Sequence, residues 1–170
     1  MKSVQGIMEN LLYLTPNRKL LFVTDISGTQ PSWLFEHLSC FLPGVFALGA
    51  ISLPLSASDK QLHLWMAEGL AETCYLTYAD QASGLGPDEM YMTSQSTKWI
   101  DEYRKWESSG ASDKGTYPPG VKGVDLVVVK DSHQREYSNK TPNYLLRPEV
   151  TPLISISRVS YANCLLFIDG

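Results

Sequence analysis

The sequence holds no apolar run near the ~18 residues that span a bilayer, and Met1-Lys2-Ser3-Val4 does not lead into a secretory apolar segment, so neither anchor nor leader is expected. It also lacks any run of lysines or arginines. With 14 basic against 18 acidic residues, a net charge of -4 and a pI near 5.3, it offers little to the phosphates of nucleic acids or acidic membranes. Cysteine is scarce. Cys40, Cys74 and Cys164 lack the paired short spacings of a zinc site, and an odd number leaves at least one unpaired within the chain. Buried thiols are the expectation. His37 and Cys40 stand three apart, as two helix-borne ligands would, yet no second close pair completes a set of four. The one sequon, Asn139-Lys140-Thr141, is followed by Pro142 and makes a poor acceptor.

What is present is the balance of one soluble globular domain: 170 residues, 44% hydrophobic and 19% charged. Val4, Ile7, Met8, Leu11 and Leu12 recur at three and four, which predicts a helix capped by Ser3 and stopped by Pro16. Lys19 to Thr24 is a short β-prone run, and Asp25 to Gln30 is turn chemistry. A second helix is expected from Ser32, with Leu34, Leu38, Phe41, Leu42 and Val45 as its stripe, Glu36 in its first turn, and a kink or end at Pro43-Gly44. Ser58-Asp59-Lys60-Gln61 reads as a capping box. It opens a helix through Trp65, Met66, Leu70 and Cys74 that runs to Ser83-Gly84, with Trp65 and Met66 as core residues rather than a ligand platform. Trp99, Ile100, Tyr103 and Trp106 define a further helix ended by Ser108-Ser109-Gly110. A long loop follows to Gly123, then a β-prone run from Val124 to Val129 and a polar stretch from Asp131 to Lys140. From Thr151 the pattern fits both a helix with Pro152 at its first position and a strand in which Ile154, Ile156 and Arg158 alternate.

The architecture expected is therefore mostly α, helix pairs joined by long loops with a few short strands. Carboxylates sit on helix starts and stiffened corners: Glu36, Asp88 with Glu89 after Gly84-Leu85-Gly86-Pro87, and Glu149. Glu149 follows Arg147-Pro148, where the proline fixes its own φ and biases Arg147 away from helix. That stiffness allows either a surface ion pair of Arg147 with Glu149 or a placed carboxylate. Paired carboxylates at a cleft are the equipment for general acid and base work on a glycosidic bond. An inverting pair stands ~6.5–9.5 Å apart with water between.

Three stretches carry a resemblance. Phe35-Glu36-His37-Leu38-Ser39-Cys40-Phe41-Leu42-Pro43-Gly44, then Glu72-Thr73-Cys74-Tyr75 with Gly84-Leu85-Gly86-Pro87-Asp88, then Tyr144-Leu145-Leu146-Arg147-Pro148-Glu149 resemble consecutive motifs of glycoside hydrolase family 47, the class I α-1,2-mannosidases, and look closest to fungal members. The resemblance implies an (αα)7 barrel of fourteen helices. Those helices alone need about 160 residues, so residues 1–159 are expected to be a partial catalytic domain, a middle-to-late slice. Residues 160–170 leave the family pattern as read-through past an exon end would. By the same resemblance Glu36, Asp88 and Glu149 are catalytic acids. Arg147 and His37 are sugar contacts, with Glu89 beside them able to stand in for Asp88.

The implied reaction is inverting, calcium-dependent removal of mannose from high-mannose N-linked glycans in the endoplasmic reticulum, the Golgi lumen or outside the cell. The calcium-binding threonine and an earlier catalytic glutamate are missing from this chain, and no metal ligand is assigned within it. Leu34 stands where some members have a specificity arginine, and Pro152 where the family has a second glutamate. Cys74 matches half of the family's disulfide, with its usual partner expected to be absent. The chain is thus expected to be an inactive fragment of such an enzyme, or alternatively a non-catalytic glycan-binding module of quality control. No partner protein is implied.

Overall fold

The structure, a computed structural model, describes residues 2–111, 115–121, 126–141 and 143. The first helix, α1 (Lys2–Asn10), ends earlier than its periodicity suggests, and Leu12 leaves it for a strand. The reason is pairing. β1 (Leu12–Leu14) lies antiparallel to β2 (Leu21–Val23), with Leu12 opposite Val23 and Leu14 opposite Leu21. Leu12, Leu14 and Leu21 face one core with Phe46, Met66 and Trp99, while Tyr13, Leu20 and Phe22 face another with Phe35, Met90 and Cys74. A ribbon buried on both faces gains more by burial than one extra helical turn would.

β3 (Ile26–Ser27) and β4 (Gln30–Pro31) form a small hairpin, and Leu34–Glu36 is a strand, β5, rather than the start of a helix. His37–Phe41 is a 3-10 helix, and only from Leu42 does a true α-helix run, α2 (Leu42–Ser52). Pro43 falls in its first turn, where the missing N–H has no intrahelical partner to lose, so it starts the helix instead of breaking it. α3 (Ala57–Ala79) packs back on α2 as a helical hairpin. Its cap is Ser56, two residues before the expected one: the Ser56 hydroxyl accepts from the Asp59 N–H at 3.1 Å and donates to the Asp59 carboxylate at 2.7 Å. The helix ends at Ala79, and Met66 is buried as expected, with Trp65 against Tyr103 and Trp106. Gly69 is where backbone passes backbone, since a Cβ there would run into the Gly120 carbonyl.

β6 (Glu89–Met92) pairs with β5, and β7 (Thr97–Lys98) joins β1 before α4 (Trp99–Ser108), which closes the core of Leu12, Phe46 and Met66. The last strand, β8 (Tyr137–Thr141), lies on the other edge of β6, in a stretch expected to be merely polar. Residues 126–129 form no strand, and residues 124 and 125 of that run lie outside the described residues. The described chain therefore holds four α-helices but also eight short strands in three small sheets.

The cysteines correct the sequence reading. Cys40 and Cys74 are joined in a disulfide that ties the 3-10 helix to α3. Neither is a buried thiol, Cys74 is not without its partner, and Cys40 is not available to a metal. Cys164 lies outside the described residues.

A polar knot fastens the segment before β8 to the rest. Asp80, fully buried at the end of α3, takes both guanidinium nitrogens of Arg18 at 2.7 and 3.2 Å, the Tyr137 hydroxyl at 2.9 Å and the Val129 N–H at 2.8 Å. Arg135 donates to the carbonyls of Asp80, Val129 and Lys130 and to the Gln81 side chain. Glu136, at φ 65, accepts from the Thr15 hydroxyl, the Arg18 N–H and both the backbone and side chain of Asn17. Burial alone would raise its pKa, but those hydrogen bonds more than reverse the shift and hold it below the ordinary 4.5.

A carboxyl depressed in the folded state contributes stability that is present above its unfolded pKa and lost as pH falls through its folded one. The stability conferred by Glu136 is therefore expected to fade below about pH 4.5, and Glu136→Gln to flatten that part of the profile. Urea unfolding midpoints of both proteins at neutral and acid pH check this; parallel profiles would contradict it.

Candidate active site

The sheet β5-β6-β8 gathers the motif residues at one end. Glu36 lies opposite Glu89, Phe35 opposite Met90 and Leu34 opposite Tyr91. Side chains alternate across a strand, so Phe35, Met90 and Met92 enter the core while Glu36, Glu89 and Tyr91 share the other, open face. Directly opposed residues have Cβ atoms about 4.5–5.5 Å apart, which sets two carboxylates side by side, a juxtaposition that costs stability. Glu36 is exposed, at the last position of β5 and the cap of the 3-10 helix, not in the first turn of an α-helix.

Glu89 is relieved by its neighbours on β8. The Thr141 hydroxyl donates to one carboxylate oxygen, and the Lys140 ammonium stands 3.4 Å from the other. The Thr141 hydrogen bond, with the Lys140 charge beside it, holds Glu89 below the usual carboxylate range against a smaller opposing effect of desolvation. Such a group is a poor proton donor near neutral pH and a ready acceptor for hydroxyl groups.

Asp88 is placed by its backbone. Its N–H lies 3.1 and 3.2 Å from the carbonyls of Thr141 and Asn143, and its carbonyl accepts from the His37 N–H at 2.8 Å. His37 is buried, its Nε2 hydrogen-bonded to the Tyr78 hydroxyl on α3. Gly86 fits the same corner by having no side chain, because a Cβ would stand 2.7 Å from the Tyr78 ring. The Pro- and Gly-stiffened loop thus presses on Tyr78, Tyr78 holds His37, and His37 holds Asp88.

Glu36, His37, Asp88 and Glu89, more than fifty residues apart in the chain, are brought to one place. Arg147 and Glu149 lie outside the described residues. The described chain reaches Asn143 beside Asp88. Among the described residues no three His, Cys, Asp or Glu side chains converge so as to hold a metal ion.

Sequence reasoning missed Tyr78, Thr141, Lys140 and Tyr91. Their signal was weak but present: Glu89-Met90-Tyr91-Met92 alternates polar and apolar with period two, the mark of a half-buried strand.

The model of glycosyl hydrolase family 47 matches residues 1–154, and the chain belongs to that family. It is 38% identical over 88 residues to the mouse endoplasmic reticulum mannosyl-oligosaccharide 1,2-alpha-mannosidase, covering 51% of this chain and 12% of that protein. Over 108 residues it is 34% identical to the enzyme of the same name from Schizosaccharomyces pombe, covering 56% and 21%. The solved alpha-1,2-mannosidase from Trichoderma reesei shares the fold over 92% of this chain and 26% of its own, with a TM-score of 0.58 at 22% identity. The chain thus spans about a quarter or less of the length of these relatives.

Proposed function

We propose that the chain carries part of the sugar-binding face of an α-1,2-mannosidase acting on high-mannose N-linked glycans. The observation that carries the proposal is the convergence of Glu36, His37, Asp88 and Glu89 on one end of one sheet, from two of the three motifs. In this reading Glu36, Asp88 and Glu149 are the catalytic acids of an inverting hydrolysis with water as nucleophile. Arg147 orients the sugar, Glu89, held ionised, accepts from its hydroxyls, and His37, buried and hydrogen-bonded to Tyr78, supports Asp88 from behind rather than touching the sugar. The described carboxylates form no cage for calcium, so no step is assigned to the ion here.

We read residues 1–159 as a slice of the (αα)7 barrel and 160–170 as a tail outside it. The composition of α2 supports the slice: it is apolar on every side, Phe46, Ala47 and Ala50 packing inward while Val45, Leu48 and Ile51 stay exposed. Helices apolar all round are ordinarily covered all round. The Cys40–Cys74 disulfide supports residence in an oxidising compartment such as the endoplasmic reticulum lumen, the location that the names of the mouse and fission yeast relatives carry. Pro152, standing where the family resemblance calls for a second glutamate, favours a second reading in which the face binds glycan without cleaving it.

Incubation with a high-mannose N-glycan and calcium, following free mannose and bound glycan together, tests both. Mannose release abolished by Glu36→Gln supports the hydrolytic reading, and binding without release the second. Absence of both would overturn the proposal.

A further inference from the structure

The sugar-binding roles leave unused an apolar run at the surface, residues 126–129. Leu126, Val127 and Val128 are 37, 59 and 42% exposed. The polar knot holds one side of the run: Arg18 donates to the Val127 carbonyl at 2.9 Å, and the Val129 N–H donates to Asp80 at 2.8 Å. Bonding at every second residue is the pattern of an extended chain satisfied along one side only. By the same alternation the N–H and C=O of Leu126 and Val128 face outward, and among the described residues they have no hydrogen-bond partner.

Bare strand edges are ordinarily blunted by lysine, proline, a bulge or a covering element. Residues 126–129 hold no charge, proline or glycine. The adjoining Lys130 is turned away, its ammonium donating to the carbonyls of Ala79 and Gln81 at 2.6 and 2.8 Å. What fits such an edge is another uncharged, β-branched strand, and the chain carries one in this same run. Pairing about a two-fold axis at Val127 sets Leu126 of each copy against Val128 of the other, each facing pair exchanging both N–H···O bonds. Charge selects the direction. The sequence places Asp125 before the run and Lys130 after it, so antiparallel copies bring opposite signs together at each end, and parallel copies like signs.

We propose that residues 126–129 are a self-association edge, through which two copies of this chain pair antiparallel, strand against strand, about a two-fold axis at Val127. So small a contact binds weakly and reversibly.

Sedimentation equilibrium of the whole chain between about 5 and 500 μM is expected to show monomer and dimer exchanging with concentration, as suits a contact smaller than the about 1,200 Å² of stable interfaces. Val128→Pro removes an outward donor and leaves the inward bonds of Val127 and Val129 alone, and is expected to weaken the dimer at least about ten-fold. Leu48→Lys, on the exposed side of α2, is expected to leave it unchanged. In a Cys164→Ser background, Val127→Cys is expected to link to the same residue of the second copy under mild oxidation. Its own backbone groups turn inward, so the axis holds the two Cα atoms about 4.5 Å apart, within disulfide reach. Leu126→Cys, which faces Val128, is expected to link much less. A chain monomeric throughout, a dimer that Leu48→Lys dissolves and Val128→Pro does not, or linking no greater for Val127→Cys than for Leu126→Cys overturns the proposal. The cysteine comparison needs no disruptive substitution, so it stays decisive if the proline variant unfolds.

Discussion

Asp80→Ala is expected to cost about 3–5 kcal/mol of folding stability, a large part of the about 5–15 kcal/mol that holds a typical domain together. The side chain is wholly buried and its partners cannot turn to water in its absence. Arg18, itself 12% exposed, would be left as an uncompensated charge; the Tyr137 hydroxyl and the Val129 N–H would each lose an acceptor. Burial first, and the Asp80 charge next, keep the Tyr137 hydroxyl protonated far above its ordinary range, so it stays a donor at every working pH. Asp80→Asn should cost less than alanine, because it keeps one acceptor oxygen, but it removes the charge and turns an NH2 toward donors that the second carboxylate oxygen now satisfies. Urea denaturation gives the comparison. A loss below about 1 kcal/mol for the alanine variant would mean that the knot is not closed in solution. The same variant should loosen Lys140 and Thr141 from Glu89, since β8 begins at the residue that Asp80 holds.

None of that knot was legible in the sequence. Arg18, Asp80 and Arg135 lie 55 or more residues from one another, each is unremarkable in its own neighbourhood, and Asp80 follows a helix end that was read as continuing to Gly84. The long helix around Trp65, Met66 and Leu70 was legible because its period persists over six turns. Leu34–Glu36 was not. Three residues are too few to show alternation, and Leu34, Leu38, Phe41 and Val45 fit a helical stripe equally well.

The site residues were legible only as motifs. The sequence could say that Glu36, Asp88 and Glu89 were carboxylates on stiff corners, but their meeting depends on strand register, which tertiary pairing fixes. The strand β8 was hidden for the same reason: Ser138, Asn139 and Lys140 have little strand preference, and β6 recruits them.

Loss of the disulfide is the second large effect. Cys40 and Cys74 close a loop of 34 residues' separation, and on the chain-entropy account such a link stabilises by about 4 kcal/mol, although part of that can be enthalpic. Cys40→Ser with Cys74→Ser is expected to lower the unfolding midpoint accordingly, and a thiol reductant to do the same to the parent but not to the double variant. The link also joins the 3-10 helix carrying His37 to the helix carrying Tyr78, so sugar binding should weaken in step. Identical unfolding with and without reductant would contradict the bridge, and unchanged binding would separate it from the site.

The most direct test concerns the carboxylates themselves, because the function proposed for this face requires Glu149 to join Glu36. In a Cys164→Ser background, Glu36→Cys with Glu149→Cys can be treated with a bifunctional maleimide of about 8 Å reach, near the separation of an inverting pair. One intramolecular cross-link in most molecules is the expected result. Two singly modified thiols with no cross-link, in a chain that is folded by circular dichroism, would place the two acids on different surfaces and contradict the site.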